Sequence, residues 1–434
     1  MSEIQEKRNV LILGGMSHVG RSLVHFLLNE LTAIGHIRIV DKYLVTETAR
    51  TIYVEPDMLK AIKDGQVEYK QANLNIQNTA EQIFEGPNGI KYDYVFDLSG
   101  EGILNHMIPS QFLLERTTKL TGLLAKIASK KGVKAYVRDT PPFWLSKAGE
   151  TNCSESFLIK QGQGADTARA YYFYEAERAA ASNETLPLVI LRSANIYGPH
   201  QYYGTVTPRI ALGEVYAHLK EPFKLLWSAD LRLHTLHSRD WCRGAWKAAE
   251  WASNRSREEA NKIAGESFPY IKPKDISKIG EVVDTSKTNN TASIENICMP
   301  EKTPIAPVFN LADQDDMTQG KILDVIGKVF GIQTGFTNAA INAWAKLNLN
   351  SVVDEANEKH TEAVAEIYPN QDPPIKYTPH TCYLGVQDVA HKAEALDPTK
   401  AEKILHWKAK ETFDQDTVKE VIKSFKDAGA WLTR

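Results

Sequence analysis

Cysteine is scarce. The four thiols, Cys153, Cys242, Cys298 and Cys382, lie far apart with no paired spacing, which argues against a zinc site or a disulfide framework. Reduced thiols and no bound metal are expected. No apolar run approaches the roughly 18 residues of a membrane span, and the opening Met-Ser-Glu-Ile-Gln-Glu-Lys-Arg is too polar for a signal peptide. A cytoplasmic address follows by default. Charge of one sign is also lacking, since 51 basic and 54 acidic residues leave a net charge of −3. Nothing in that balance would draw nucleic acid or an anionic membrane. What is present is ordinary for a globular chain: 434 residues, 43% hydrophobic and 24% charged, enough for one large or two medium domains.

The stretch from Asn9 to Leu23 organises the rest. Val10 to Leu13 is an apolar run too short for a helix, and it stops at Gly14 and Gly15, as a buried parallel strand entering a tight turn would. Val19, Leu23, Phe26 and Leu27 then recur at helical spacing, so a helix is expected from about Ser17 or His18. Strand, glycine turn and helix start make a dinucleotide phosphate site, in which glycines admit the pyrophosphate and free amides hold its charge. Gly14, Ser17, His18, Val19 and Gly20 are its expected members, with serine where a second glycine is usual. The next strand, His36 to Val40, ends in Asp41 about 20 residues past the last glycine, where a carboxylate accepts from the adenosine ribose hydroxyls. Asp41 also repels a 2′-phosphate, so the expected cofactor is NAD and not NADP.

Further strands are expected at Val67–Tyr69, Tyr92–Leu98, Val133–Val137 and Pro187–Arg192, with a long amphipathic helix over 110–131. Alternating strands and helices imply right-handed crossovers and a doubly wound parallel α/β sheet of Rossmann type. Asn73 and Leu74, after the third strand, and Ser99, at the end of the fourth, are placed where a cofactor crosses the strand ends. A tyrosine-rich helical segment, Ala170 to Ala180, precedes the sixth strand. The acidic cluster Asp313, Asp315 and Asp316 complements a helix start and is not read as a metal site.

Several segments together resemble the extended short-chain dehydrogenase/reductases, the NAD-dependent epimerase/dehydratase family. Leu13-Gly-Gly-Met-Ser-His-Val-Gly20 is similar to the family's glycine motif, and Leu186-Pro-Leu-Val-Ile-Leu-Arg-Ser-Ala-Asn-Ile-Tyr-Gly-Pro199 to its Val-x-Leu-Arg-x-x-Asn-Val-Tyr-Gly-Pro. Leu236 to Ala245, Val308 to Leu311 and Asp397 to Trp407 resemble later family segments in the right order. The resemblance implies an NAD-binding domain over 1–200, to which 232–255 and 305–312 return. A smaller substrate lobe takes most of 201–434, with insertions near 254–307 and 335–370.

It also implies an oxidoreductase acting on a nucleotide sugar or related hydroxylated small molecule by tyrosine-assisted hydride transfer. A homodimer is what the family suggests. Catalysis in the family needs a tyrosine four residues before a lysine, plus Ser or Thr. A nearby cation lowers the phenol pKa so that tyrosinate can take a proton. Here no such lysine exists, since Tyr171 is followed by Glu175 and Tyr174 by Arg178. Tyr174 with Arg178 is the expected altered pair, Tyr171 the second candidate, and Thr140 the hydroxyl. By resemblance Asn195 faces the substrate, Arg232 meets its diphosphate and His237 lies beside the site. Two other readings stay open: a dinucleotide-binding sensor or scaffold without catalysis, and a reductase of a non-sugar substrate.

Overall fold

The computed structural model describes residues 6–16, 19–46, 49–101, 108–141, 146–157, 167–272, 295–375 and 377–434. Eight strands form its main sheet: β1 (Arg8–Gly14), β2 (Ile34–Asp41), β3 (Glu68–Gln71), β4 (Tyr94–Leu98), β5 (Ala135–Thr140), β6 (Leu188–Ser193), β7 (Gly265–Ser267) and β8 (Ile305–Leu311). Their spatial order is β7-β8-β6-β5-β4-β1-β2-β3. Every pairing is parallel except that of the edge strand β7 with β8. The chain runs outward from β1 to β3, then returns to the other side of β1 with β4, and Gly14 sits opposite Leu98 in register. That reversal opens a crevice above the carboxyl ends of β1 and β4, the position where open α/β sheets take ligands.

The run Val10 to Leu13 explains why β1 is central. Val10 and Ile12 are buried in one core with Leu23, Val24 and Leu27, whereas Leu11 and Leu13 are buried in another with Leu123, Leu124 and Ile127. Alternate side chains thus enter two separate helical layers, and each such burial stabilises by about 2 kcal/mol. The first layer holds α1 (Gly20–Asn29), and the second holds α2 (Leu120–Lys131) and α3 (Ala168–Ala181). The C-terminal lobe is built from α4 (Val206–Leu219), and α5 (Ser238–Ser253) returns to the first layer through Trp241, Ala245 and Ala249.

The insertion expected near 254–307 begins with α6 (Arg257–Ala264), opened by a Ser256–Glu259 capping box, and then supplies β7. The lobe continues with α7 (Gln319–Phe330) and, in the insertion expected near 335–370, a pair of helices, α8 (Ala339–Leu347) and α9 (Leu349–Ile367); it ends with α10 (Gln415–Asp427). Two short pairings tie the lobe to the sheet. Thr235–His237 runs beside Asn195–Tyr197, and Lys392–Ala393 pairs with Ser146–Lys147 just beyond β5. No helix among the described residues is long and apolar enough to cross a membrane.

Candidate cofactor and substrate site

Gly14 and Gly15 both adopt positive φ, 76° and 88°. A Cβ on Gly15 would lie 2.7 Å from Leu98 Cδ1 and 3.0 Å from Gly20 Cα, so the turn tolerates no side chain. Ser17 and His18 fall outside the described residues. Val19 is fully buried in the core, its carbonyl accepting from Leu23 N at 2.9 Å, and Gly20 opens α1.

Above this turn lies a cavity of about 360 Å³ lined by Gly14, Gly15, Asp41, Asn73, Leu74 and Ser99, among others. It brings together the expected turn glycines, ribose acid and strand-end residues. Asp41 is 8% exposed. Its Oδ2 accepts from Met16 N at 3.0 Å and its Oδ1 from Lys42 N at 2.7 Å. Burial nevertheless pushes its pKa up to about 6, the two backbone amides pulling the other way. Each carboxylate oxygen keeps acceptor capacity beyond one amide, which is what a ribose diol requires. Asn73 Oδ1 accepts from Asn75 N at 3.1 Å and so shapes the turn under the cavity, while Ser99 Oγ donates to Asp97 at 2.5 Å.

Sequence reasoning missed the charge beneath that crossing. Arg138 is fully buried, ion-pairs with Asp97 at 3.0 Å and donates to Ser99 O at 2.6 Å; Tyr136 donates to the other Asp97 oxygen at 2.8 Å. The only signal was an arginine and an aspartate at the end of an apolar strand.

A second, smaller cavity of about 50 Å³ opens at the carboxyl ends of β5, β6 and β8. Thr140, Tyr174, Glu177, Arg192 and Glu394 line it. Thr140 is 7% exposed, and among the described residues its Oγ1 has no hydrogen-bond partner. Arg192 is held by Glu177 through two hydrogen bonds, 3.0 and 2.6 Å. Buried hydroxyls are rarely left unpaired, so Thr140 Oγ1 marks a place for an incoming polar group.

The structure does not bring Tyr174 and Arg178 together at this cavity. Tyr174 lines it with its ring, but its hydroxyl donates to Pro269 O at 2.7 Å, and burial drives its pKa upward. Arg178 points elsewhere, donating to the carbonyls of Phe268, Met299 and Lys302 at 3.1, 3.1 and 2.8 Å and pairing with Glu175 at 2.7 Å. Tyr171 packs with Leu113 and Leu114, edge-on to Tyr172, and burial raises its pKa as well.

The expected substrate residues are engaged within the protein. Asn195 Nδ2 donates to Glu394 Oε2 and to His234 O, leaving Oδ1 without a partner among the described residues. Arg232 forms two hydrogen bonds with Asp316, 3.1 and 2.9 Å, because both border the turn into α7. His237 caps α5, its Nδ1 accepting from Arg239 N at 3.2 Å, and burial lowers its pKa to about 3. Asp313 accepts from Thr235 Oγ1 and His237 N, and no group of three or more metal-ligating side chains occurs among the described residues.

The chain's shape is similar to that of several solved structures. One is the enzyme WbmG of Bordetella bronchiseptica in complex with NAD, at 15% identity and a TM-score of 0.57, covering 100% of this chain and 98% of that one. Another is UDP-glucose 4-epimerase of Thermotoga maritima with UDP-glucose, at 14% identity and a TM-score of 0.55, covering 96% and 99%. A third is a mutant UDP-glucuronic acid 4-epimerase of Bacillus cereus holding NAD and a fluorinated UDP-glucuronic acid, at 12% identity and a TM-score of 0.58, covering 96% and 99%. No curated protein matches the sequence. At these identities the likeness speaks for the fold. The model of the NAD dependent epimerase/dehydratase family matches residues 10–264, more than half the chain. With the glycine turn, the ribose acid and the doubly wound sheet already in place, the chain belongs to the NAD-dependent epimerase/dehydratase family.

Proposed function

We propose that this chain is an NAD-dependent oxidoreductase of the epimerase/dehydratase type, acting on a nucleotide sugar or a related hydroxylated substrate. One observation carries the reading. The cavity lined by Gly14, Gly15 and Asp41 and the cavity lined by Thr140, whose hydroxyl has no partner among the described residues, lie at the carboxyl ends of neighbouring strands of one sheet. The UDP-glucose and the fluorinated UDP-glucuronic acid found in similarly folded structures support the substrate class. When bound, NAD supplies a reversible hydride acceptor. Asp41 binds the adenosine ribose, the Gly14–Gly15 turn and the start of α1 take the pyrophosphate, and Thr140 Oγ1 holds the substrate oxygen that loses its proton.

Of the two expected tyrosines only Tyr174 lines Thr140's cavity, and it is poorly placed for tyrosine-assisted proton transfer. For that, its hydroxyl must leave the Pro269 carbonyl, and the cation facing it, Arg192, is already neutralised by Glu177. The same observation favours a second reading, a dinucleotide sensor that has lost turnover. Calorimetry with NAD and NADP comes first, followed by chromatographic detection of products from UDP-glucose or UDP-glucuronic acid in the presence of NAD, because an epimerase or dehydratase returns the hydride within each turnover and accumulates no reduced cofactor. NAD binding with turnover establishes the enzyme. NAD binding with no nucleotide sugar converted would leave the sensor, and no binding of either nucleotide would sink both readings.

A further inference from the structure

We propose that Glu394 is the catalytic group that exchanges the proton of the reacting hydroxyl, with Thr140 holding the same oxygen and Asn195 positioning the carboxyl. The proposal rests on the function argued above and names the proton carrier that Tyr174 is poorly placed to be.

The fold fixes Glu394 firmly. The Lys392–Ala393 pairing with Ser146–Lys147 delivers it to the end of β5, and Ser146 Oγ donates to Ala393 O at 3.0 Å. Its own backbone is fully used, with Glu394 N donating to Arg232 O at 3.1 Å and His234 N donating to Glu394 O at 2.9 Å. The side chain of Glu394 therefore has little freedom. Asn195 Nδ2 donates to its carboxyl while being held by His234 O at 2.9 Å. Glu394 lines the same cavity as Thr140, so one cavity is bordered by a carboxyl side chain and by a hydroxyl that has no partner among the described residues. Those are the two groups a hydroxyl needs as it becomes a carbonyl: one to take its proton, one to hold its oxygen.

The surrounding charges suit a reversible exchange. Arg209 on α4 is fully buried and donates to Asp388 O at 2.7 Å; its charge favours ionised Glu394, whereas Asp388 opposes it. Across the cavity stand Glu155 and the neutralised Glu177–Arg192 pair. Burial outweighs Asn195 and Arg209 and pushes Glu394 up to about 8. In the oxidative direction the substrate O–H proton passes to the Glu394 carboxylate, the C–H hydride passes to the nicotinamide of bound NAD, and a C=O bond forms. The reductive direction returns the proton from the carboxylic acid and the hydride from the reduced cofactor.

The test uses the full chain with NAD, as wild type, Glu394→Gln and Glu394→Asp. Calorimetry should give the same NAD affinity for all three, which shows that the fold and the cofactor site survive. With UDP-glucose or UDP-glucuronic acid as probe, Glu394→Gln should lower kcat by about 100-fold or more. Glu394→Asp should recover part of it, and the rise of wild-type oxidation toward pH 8 should vanish in the glutamine variant. Retention of both kcat and the pH limb in Glu394→Gln overturns the proposal. If wild type binds NAD but oxidises neither probe, the nucleotide-sugar reading fails, and the carboxyl itself still decides Glu394. In chain labelled with ¹³C at the glutamate carboxyl, a resonance absent from Glu394→Gln that titrates near 8 supports it, and one in the ordinary carboxylate range overturns it.

Discussion

On the role proposed for Asp41, holding the adenosine ribose, its titration couples cofactor binding to pH. Burial raises its pKa to about 6 from the usual 3.8, although two backbone amides favour the ionised form. Ribose hydroxyls donate to the carboxylate, so NAD selects ionised Asp41. At pH 5 only about one tenth of the free chain carries that form, and apparent NAD affinity should be about tenfold weaker than at pH 7.5, roughly 1.4 kcal/mol. The cofactor-free fold should behave oppositely. The folded chain binds the proton more tightly than the unfolded one, so stability from this group is fully present below about pH 4 and is lost as pH rises through 6. The loss is about 3 kcal/mol in all. Calorimetric Kd for NAD across pH 5 to 8, with denaturant melts of the free chain over the same range, measures both limbs. Asp41→Ala should abolish both slopes and weaken NAD by two to four orders of magnitude at pH 7.5, the loss of two charge-assisted hydrogen bonds at about 1.5–3 kcal/mol each. A Kd that is flat from pH 5 to 7.5, or an alanine variant that keeps the slope, would refute the reasoning.

Arg178→Ala should cost the fold at least about 3 kcal/mol in urea melts, because it strands Glu175 and several buried carbonyls, yet leave NAD affinity within twofold. Glu55→Gln breaks a buried pair with Arg21 at 2.6 Å and should cost about 3–5 kcal/mol. Because Arg21 also donates to Met16 O and His200 O, calorimetry should show weaker NAD binding in that variant as well. Burial holds His237, His360 and His380 at pKa values of about 3, 4 and 3, all below 6.5. Their neutral-state stability is present above about 6.5 and lost as pH falls toward 4, each adding about 1.4 kcal/mol per pH unit to the slope. His380 has neither ring nitrogen hydrogen-bonded among the described residues and packs on Phe425 and Trp431. His380→Leu should therefore raise stability at pH 5 and flatten the acid limb followed by circular dichroism.

The parts of this molecule legible in its sequence are those whose signal is local. Val10 to Leu13 reads as a central strand because all four side chains must be buried, and Gly14, Gly15 and Asp41 read as a cofactor turn because their backbone and charge requirements sit within some 30 residues. Thr140 is placed by the end of its own strand. The remainder depends on pairings that sequence spacing does not encode. Four-residue spacing puts Tyr174 and Arg178 on one face of α3, but not which neighbours that face meets. Arg232 looks like a phosphate ligand until Asp316, 84 residues on, claims it. Glu394 belongs to no motif at all and reaches the cavity through a two-residue strand pairing with Ser146–Lys147.

The two departures from the family pattern, an arginine where a lysine is expected and a long segment before β8, have a common structural cause. Every backbone carbonyl that Arg178 contacts, those of Phe268, Cys298, Met299 and Lys302, belongs to that segment. Tyr174 donates to it too, at Pro269. The segment also presses Asn296 O against Gly122 of α2, where a Cβ would meet it at 2.0 Å. A lysine has three donors on one atom and cannot span four carbonyls, whereas the planar guanidinium can. The side chains of α3 at positions 174 and 178 are thus committed to holding the added segment against the helix layer. The same contacts that anchor the segment occupy Tyr174 and Arg178, and on the proposal above chemistry at Thr140 draws its proton acceptor from another element. The strand pairing that carries Glu394 into the cavity provides one.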